Sequence, residues 1–166
     1  MKQVFSAVLA LILLVSMTAC NEGTENSSVP PTAATTHTTQ NFLGIRIEEL
    51  LTKAQIEGAM GFAVREPEVK ESGTQLYVLA ADASCSIKLN AQVEERSRFD
   101  STIASLPSPV AAPNLGEVAW WVAEYETLFV YAKGYSLNVI ISGGDYDDDT
   151  RLMLSRGLAL LALERL

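Results

Sequence analysis

The chain has 166 residues, 12 Lys and Arg against 20 Asp and Glu, and a formal charge of −8. That length suits one domain with a linker. The acidic balance argues against nucleic acid as a partner and against an electrostatic hold on anionic lipid.

Residues 1–19 read as an export signal. Lys2 supplies a short positive start, residues 4–15 are almost wholly apolar, and Met17-Thr18-Ala19 offers small residues before Cys20. The apolar run is about a dozen residues, short of the ~20 that a spanning helix needs. Met17-Thr18-Ala19-Cys20 resembles the lipobox of bacterial lipoproteins, with Met where Leu is commoner. The resemblance implies that Cys20 is lipidated and becomes the N-terminus after cleavage. It also implies anchoring by two or more acyl chains, since one alone holds only marginally. Loss of Lys2 would bring the charge from −8 to about −9. Asn21 rather than Asp follows the cysteine. In lipoproteins of two-membrane cells, Asp at that place favours inner-membrane retention, so the expected location is the cell envelope, at the outer membrane where there is one.

Residues 20–41 form the lipidated cysteine and a tether rich in Ser, Thr, Asn and Pro, with Val29 its one large apolar side chain. Such a segment cannot bury enough surface to offset its ordering entropy. As a coil its ends lie roughly 25 Å apart, and it can stretch to about 70 Å. His37, the only histidine, falls here and reads as a solvated side chain.

Residues 42–166 read as a single α+β domain. Thr52-Lys53-Ala54-Gln55 fits a capping box, so a helix is expected to run to about Met60 and end on left-handed Gly61. Leu50, Leu51, Ile56, Ala59 and Met60 are its burying residues, and residues 45–47 are either a short strand or an extra helical turn. Residues 75–80 and 85–89 alternate as a pair of strands. The alternation sets Cys85, Ile87 and Leu89 on the apolar face. Cys85 is therefore expected to be a small buried residue, although an odd thiol in an exported chain can also pair between chains.

Residues 93–106 look helical, with Phe99, Ile103 and Leu106 inward and Glu94, Glu95, Arg96 and Arg98 on the wet side. Pro107, Pro109 and Pro113 then interrupt regular structure. Residues 117–123, 127–132 and 135–142 read as a three-strand meander, with Lys133-Gly134 as its second turn. The last helix follows residues 145–150, with Leu154, Leu158 and Leu161 as its stripe and Met153, Ala159 and Leu160 widening it. The expected order is α-β-β-α-β-β-β-α: a two-layer α+β sandwich, mainly antiparallel, with helices on one face.

Two stretches suggest sites. Asp145, Asp147 and Asp149 match positions one, three and five of an EF-hand loop, but Thr150 stands where Gly is needed and Arg156 where a bidentate Glu is needed. The helix N-terminus accounts for these aspartates, and no metal is expected beyond a weak surface cation site. Trp120 and Trp121, adjacent in a strand, must point to opposite faces. One indole sits under the helices. The other either joins an exposed aromatic patch with Tyr or Phe neighbours from residues 127–135, Tyr131 and Tyr135 among them, which would mark a binding surface, or is covered by a loop or a second chain, or shows only its ring edge.

A domain without histidine cannot assemble Ser-His-Asp or Cys-His chemistry, and HExxH, CxxC and phosphate-loop patterns are missing from the chain. Neither catalysis nor a cofactor is therefore expected.

The run Leu50-Leu51-Thr52-Lys53-Ala54-Gln55 up to Gly61, the strand around Cys85, Leu115-Gly116-Glu117-Val118-Ala119-Trp120 and the leucine-rich last helix together resemble a group of small bacterial lipoproteins of unknown function. The resemblance implies a lipid-tethered α/β domain and carries no activity with it. Members often have a second cysteine near the first helix, and this chain has none there. The function expected is tethered binding of another envelope component, a protein, through an open sheet face. The alternative is a small-ligand carrier or sensor with a pocket between sheet and helices.

Overall fold

The computed structural model describes residues 46–70 and 73–166. The expected signal segment, Cys20, the tether and His37 lie outside them. Thr52 forms the expected capping box: its hydroxyl accepts from the Gln55 amide at 3.3 Å, and the Gln55 side chain accepts from the Thr52 amide at 3.0 Å. Helix α2 (Lys53–Met60) follows and ends on left-handed Gly61, whose N–H donates to Glu57 O at 2.9 Å. The ambiguous stretch before it is helical, as the one-turn α1 (Ile47–Leu50).

Among the described residues seven strands make one sheet: β1 (Glu68–Lys70), β2 (Thr74–Val78), β3 (Ser86–Val93), β4 (Val110–Ala111), β5 (Val118–Val122), β6 (Thr127–Ala132) and β7 (Tyr135–Ser142). Their order is β1-β2-β3-β7-β6-β5-β4, and every pairing is antiparallel. The five expected strands are present. The short edge strands β1 and β4 were not expected, because two or three residues give no readable alternation. β3 also runs on to Val93, held by eight pairs with β7, so α3 (Arg96–Ala104) starts later than its periodicity suggests. Tertiary pairing has overridden local preference there.

The α+β sandwich is as expected, but its helices divide between the two faces. The near face carries Tyr77, Ile87, Leu89, Ala119, Trp121, Leu128, Val130, Leu137, Val139 and Ile141. These pack in one core with α1, α2 and the last helix, α4 (Asp148–Leu163). On the far face Phe99 and Ile103 of α3 pack with Tyr131, Val118, Trp120 and Phe129 in a second, smaller cluster. The reason lies in β5 and β6, where both alternating sets are apolar. A strand with two apolar faces needs cover on both.

The last helix keeps its expected stripe, with Leu158 buried and Leu154 and Leu161 packed against the core, but it widens on the other side from that expected. Arg151, Ser155, Leu158, Ala159 and Ala162 are its buried residues, while Met153 and Leu160 are exposed. Arg151 anchors the start of this buried face. Its Nη1 donates to Ile141 O at 2.9 Å and to Gly143 O at 3.0 Å, and its Nη2 lies 3.3 Å from Glu126 Oε1. Glu94, expected on the wet side of α3, instead has a largely buried side chain, and its amide donates to Gly134 O at 3.0 Å. The described residues lie within one compact unit of the chain. Among them no helix is long and apolar enough to cross a membrane.

Candidate functional site

The two tryptophans part as the strand geometry requires. Trp121 is 4% exposed, opposite Leu128 on β6, within the main core. Trp120 is half-buried on the far face, opposite Phe129, and its ring borders the cluster under α3. The tyrosines proposed as its neighbours are separated from each other. Tyr131 is 7% exposed, its ring 5.4 Å from that of Phe99, with the Arg96 guanidinium 5.6 Å over it. Tyr135 pairs with Ala132 and Val93, and its register puts it on the near side, opposite to Tyr131. Of the four residues, only Trp120 is both on the far face and partly open.

Its row joins the successive strands β5, β6 and β7 to the distant β3 and β2. The register sets Trp120 beside Phe129, Phe129 beside Asn138, Asn138 beside Asn90, and Asn90 beside Thr74. This is a straight row across β5, β6, β7, β3 and β2. Adjacent strands lie ≈ 4.8 Å apart, so the row is about 19 Å long. All five residues are half-buried. Asn90 Nδ2 donates to Thr74 Oγ1 at 3.3 Å, and Asn138 Oδ1 is buried without a partner. A second row, Leu76–Lys88–Ile140–Thr127, runs alongside, with Lys88 exposed. α3 covers the end of the face carrying Val118 and Tyr131.

Phe129 is the Phe of residues 127–135, the stretch expected to neighbour the open indole, and Asn138 and Asn90 are the residues that sequence reasoning missed. Their alternation is readable strand by strand. The meander itself sets Asn138 beside Phe129, whereas Asn90 joins them only because β3 pairs with β7.

Other candidates resolve into structural roles. Asp147 caps α4: its Oδ1 accepts from the Thr150 amide at 2.8 Å, and hydrogen bonds from Thr150 hold its carboxyl below the usual range. Asp145 and Asp149 are exposed. Among the described residues no three His, Cys, Asp or Glu side chains gather as a metal site. Cys85 is free and buried, and burial pushes its thiol pKa up, the opposite of what a reactive thiolate needs.

No family model matches the chain, and no curated protein and no solved structure matches it either.

Proposed function

We propose that the chain is a membrane-tethered envelope lipoprotein whose residue 42–166 domain binds another envelope component, a protein, through the far face of its sheet. Lipid on Cys20 fixes the location, the residue 20–41 tether gives reach, and Trp120 anchors the contact. The observation that carries this reading is the half-open Trp120–Phe129–Asn138–Asn90 row, aromatic at one end and amide-bearing at the other. Aromatic side chains with hydrogen-bonding neighbours at a partly open surface are the usual composition of interface anchors. A pocket between sheet and helices has less support. The side chains meeting there, including Leu50, Leu51, Ile56, Ile87, Leu89 and Leu158, are at most 1% exposed.

The test is cross-linking in intact source cells followed by mass spectrometry, with wild type and Trp120→Ala compared at equal fold stability. One reproducible protein partner, lost in the variant, is expected. A partner captured equally by both chains, or none, rejects this face. Cys20→Ser is expected to release the protein from membranes, and unchanged retention rejects the anchor.

A further inference from the structure

The β1 edge of the sheet presents a pattern complementary to itself. Gly73 N–H donates to Lys70 O at 3.0 Å, so the Lys70 carbonyl faces β2. In an antiparallel ladder alternate residues direct their N–H and C=O to opposite sides. The N–H and C=O of Val69 therefore both face outward, away from β2. Val69 is 46% exposed at this edge. Glu68 and Lys70 flank it, exposed and on one face, and form an ion pair with each other. Pro67 precedes them and has no N–H to offer. The bridge between Val64 and Leu79 is offset by one residue from the Glu68–Leu76 register, so the chain bulges just before β1. The outward template is thus confined to Val69 and its two charged neighbours.

We propose that β1 pairs with β1 of a second copy, antiparallel about a two-fold axis at Val69. In that register Val69 exchanges two hydrogen bonds with Val69 of the second copy. Glu68 stands opposite Lys70 of the second copy, and Lys70 opposite Glu68. Charges on an edge strand ordinarily keep copies apart, and a like-charged pair around Val69 would do so. The Glu-Val-Lys order does the reverse, and only when the strands are antiparallel, because a parallel pairing sets Glu68 against Glu68. The opposite edge lacks this template: β4 has two residues, between Pro109 and Pro113. The contact is small, so the dimer is weak and strongly concentration-dependent. It does not depend on the far-face reading, which uses different strands.

The test is sedimentation equilibrium of the purified full chain at low salt over a concentration series. Wild type is expected to dimerise. E68K and K70E alone should each weaken association about 5-fold or more, and the double variant E68K/K70E should return to within about 2-fold, because cross-strand charge pairs are reversed rather than lost. Both substitutions are at exposed side chains, and circular dichroism checks the fold of all three variants. A wild type that stays monomeric throughout overturns the proposal. So do single variants that associate like wild type, or a double variant as weak as either single one.

Discussion

Trp120 and Trp121 are adjacent in β5 and serve opposite layers: Trp121 meets Leu128 in the main core, while Trp120 meets Phe129 beside α3. The two substitutions to Ala should therefore differ in kind. Trp121→Ala opens a core cavity and should cost about 3–5 kcal/mol. Trp120→Ala removes a partly open ring and should cost clearly less. Urea denaturation of both variants checks this, and equal losses would mean that Trp120 is as much core as its neighbour.

Arg151 ties α4 to the end of β7 through the carbonyls of Ile141 and Gly143, and pairs with Glu126, which sits at φ 50°. Burying a guanidinium is costly unless its donors are satisfied. Here Nη1 and Nη2 both have partners, so removing the side chain takes a donor from each of those carbonyls. Arg151→Met is expected to destabilise by about 3 kcal/mol and to loosen the start of α4. Hydrogen exchange of residues 143–155 should show that loosening before the rest of the sheet opens.

Two glycines should respond oppositely to Ala. Gly143 has φ 77°, and an added Cβ would lie 2.1 Å from Ser84 O, a backbone atom that cannot swing aside. Gly143→Ala is expected to prevent folding or to lower the melting temperature sharply. Gly157 lies inside α4 with nothing within 4 Å of an added Cβ. Gly157→Ala is expected to stabilise by about 1 kcal/mol through helix propensity alone, read as an upward shift of the urea midpoint.

Tyr77 sets an alkaline limit. Its hydroxyl donates to Leu51 O at 2.5 Å, and burial pushes its pKa up to about 12 from an ordinary 10.0. The unfolded chain loses this proton first. The contribution of Tyr77 is therefore fully present below pH 10 and is lost as pH rises toward about 12. Tyr77→Phe should flatten the fall in stability across that window, and should cost about 1 kcal/mol at neutral pH by orphaning Leu51 O. A wild-type curve with the same slope as the variant would place the sensitivity elsewhere.

Local chemistry was legible in the residues themselves. Thr52 and Gln55 make a capping box, Gly61 takes the left-handed turn, Cys85 is buried beside alternating Ile87 and Leu89, and the three meander strands lie close to their expected bounds. Each depends on neighbours within a few positions, which a linear pattern encodes directly. The candidate site was legible only at its aromatic end, in Trp120 and a neighbour from residues 127–135.

What only the tertiary structure decided is which face each element meets. Periodicity says that Phe99 and Ile103 share a side of α3, but not which layer that side covers. Strand alternation says that Asn90, Asn138 and Phe129 each point away from the main core, but not that β7 brings them into one row. The leucine stripe of α4 meets the core as its spacing suggests, yet the buried face widens over Arg151 and Ser155 and leaves Met153 and Leu160 out. A buried guanidinium must find its carbonyls, and those are supplied by a strand end and turn eight to ten residues back. Sequence by itself determined the local caps, the alternations and the fold class, because short-range sterics and hydrogen bonds suffice for them. Long-range pairing determined the faces, because it depends on which apolar surfaces compete for cover.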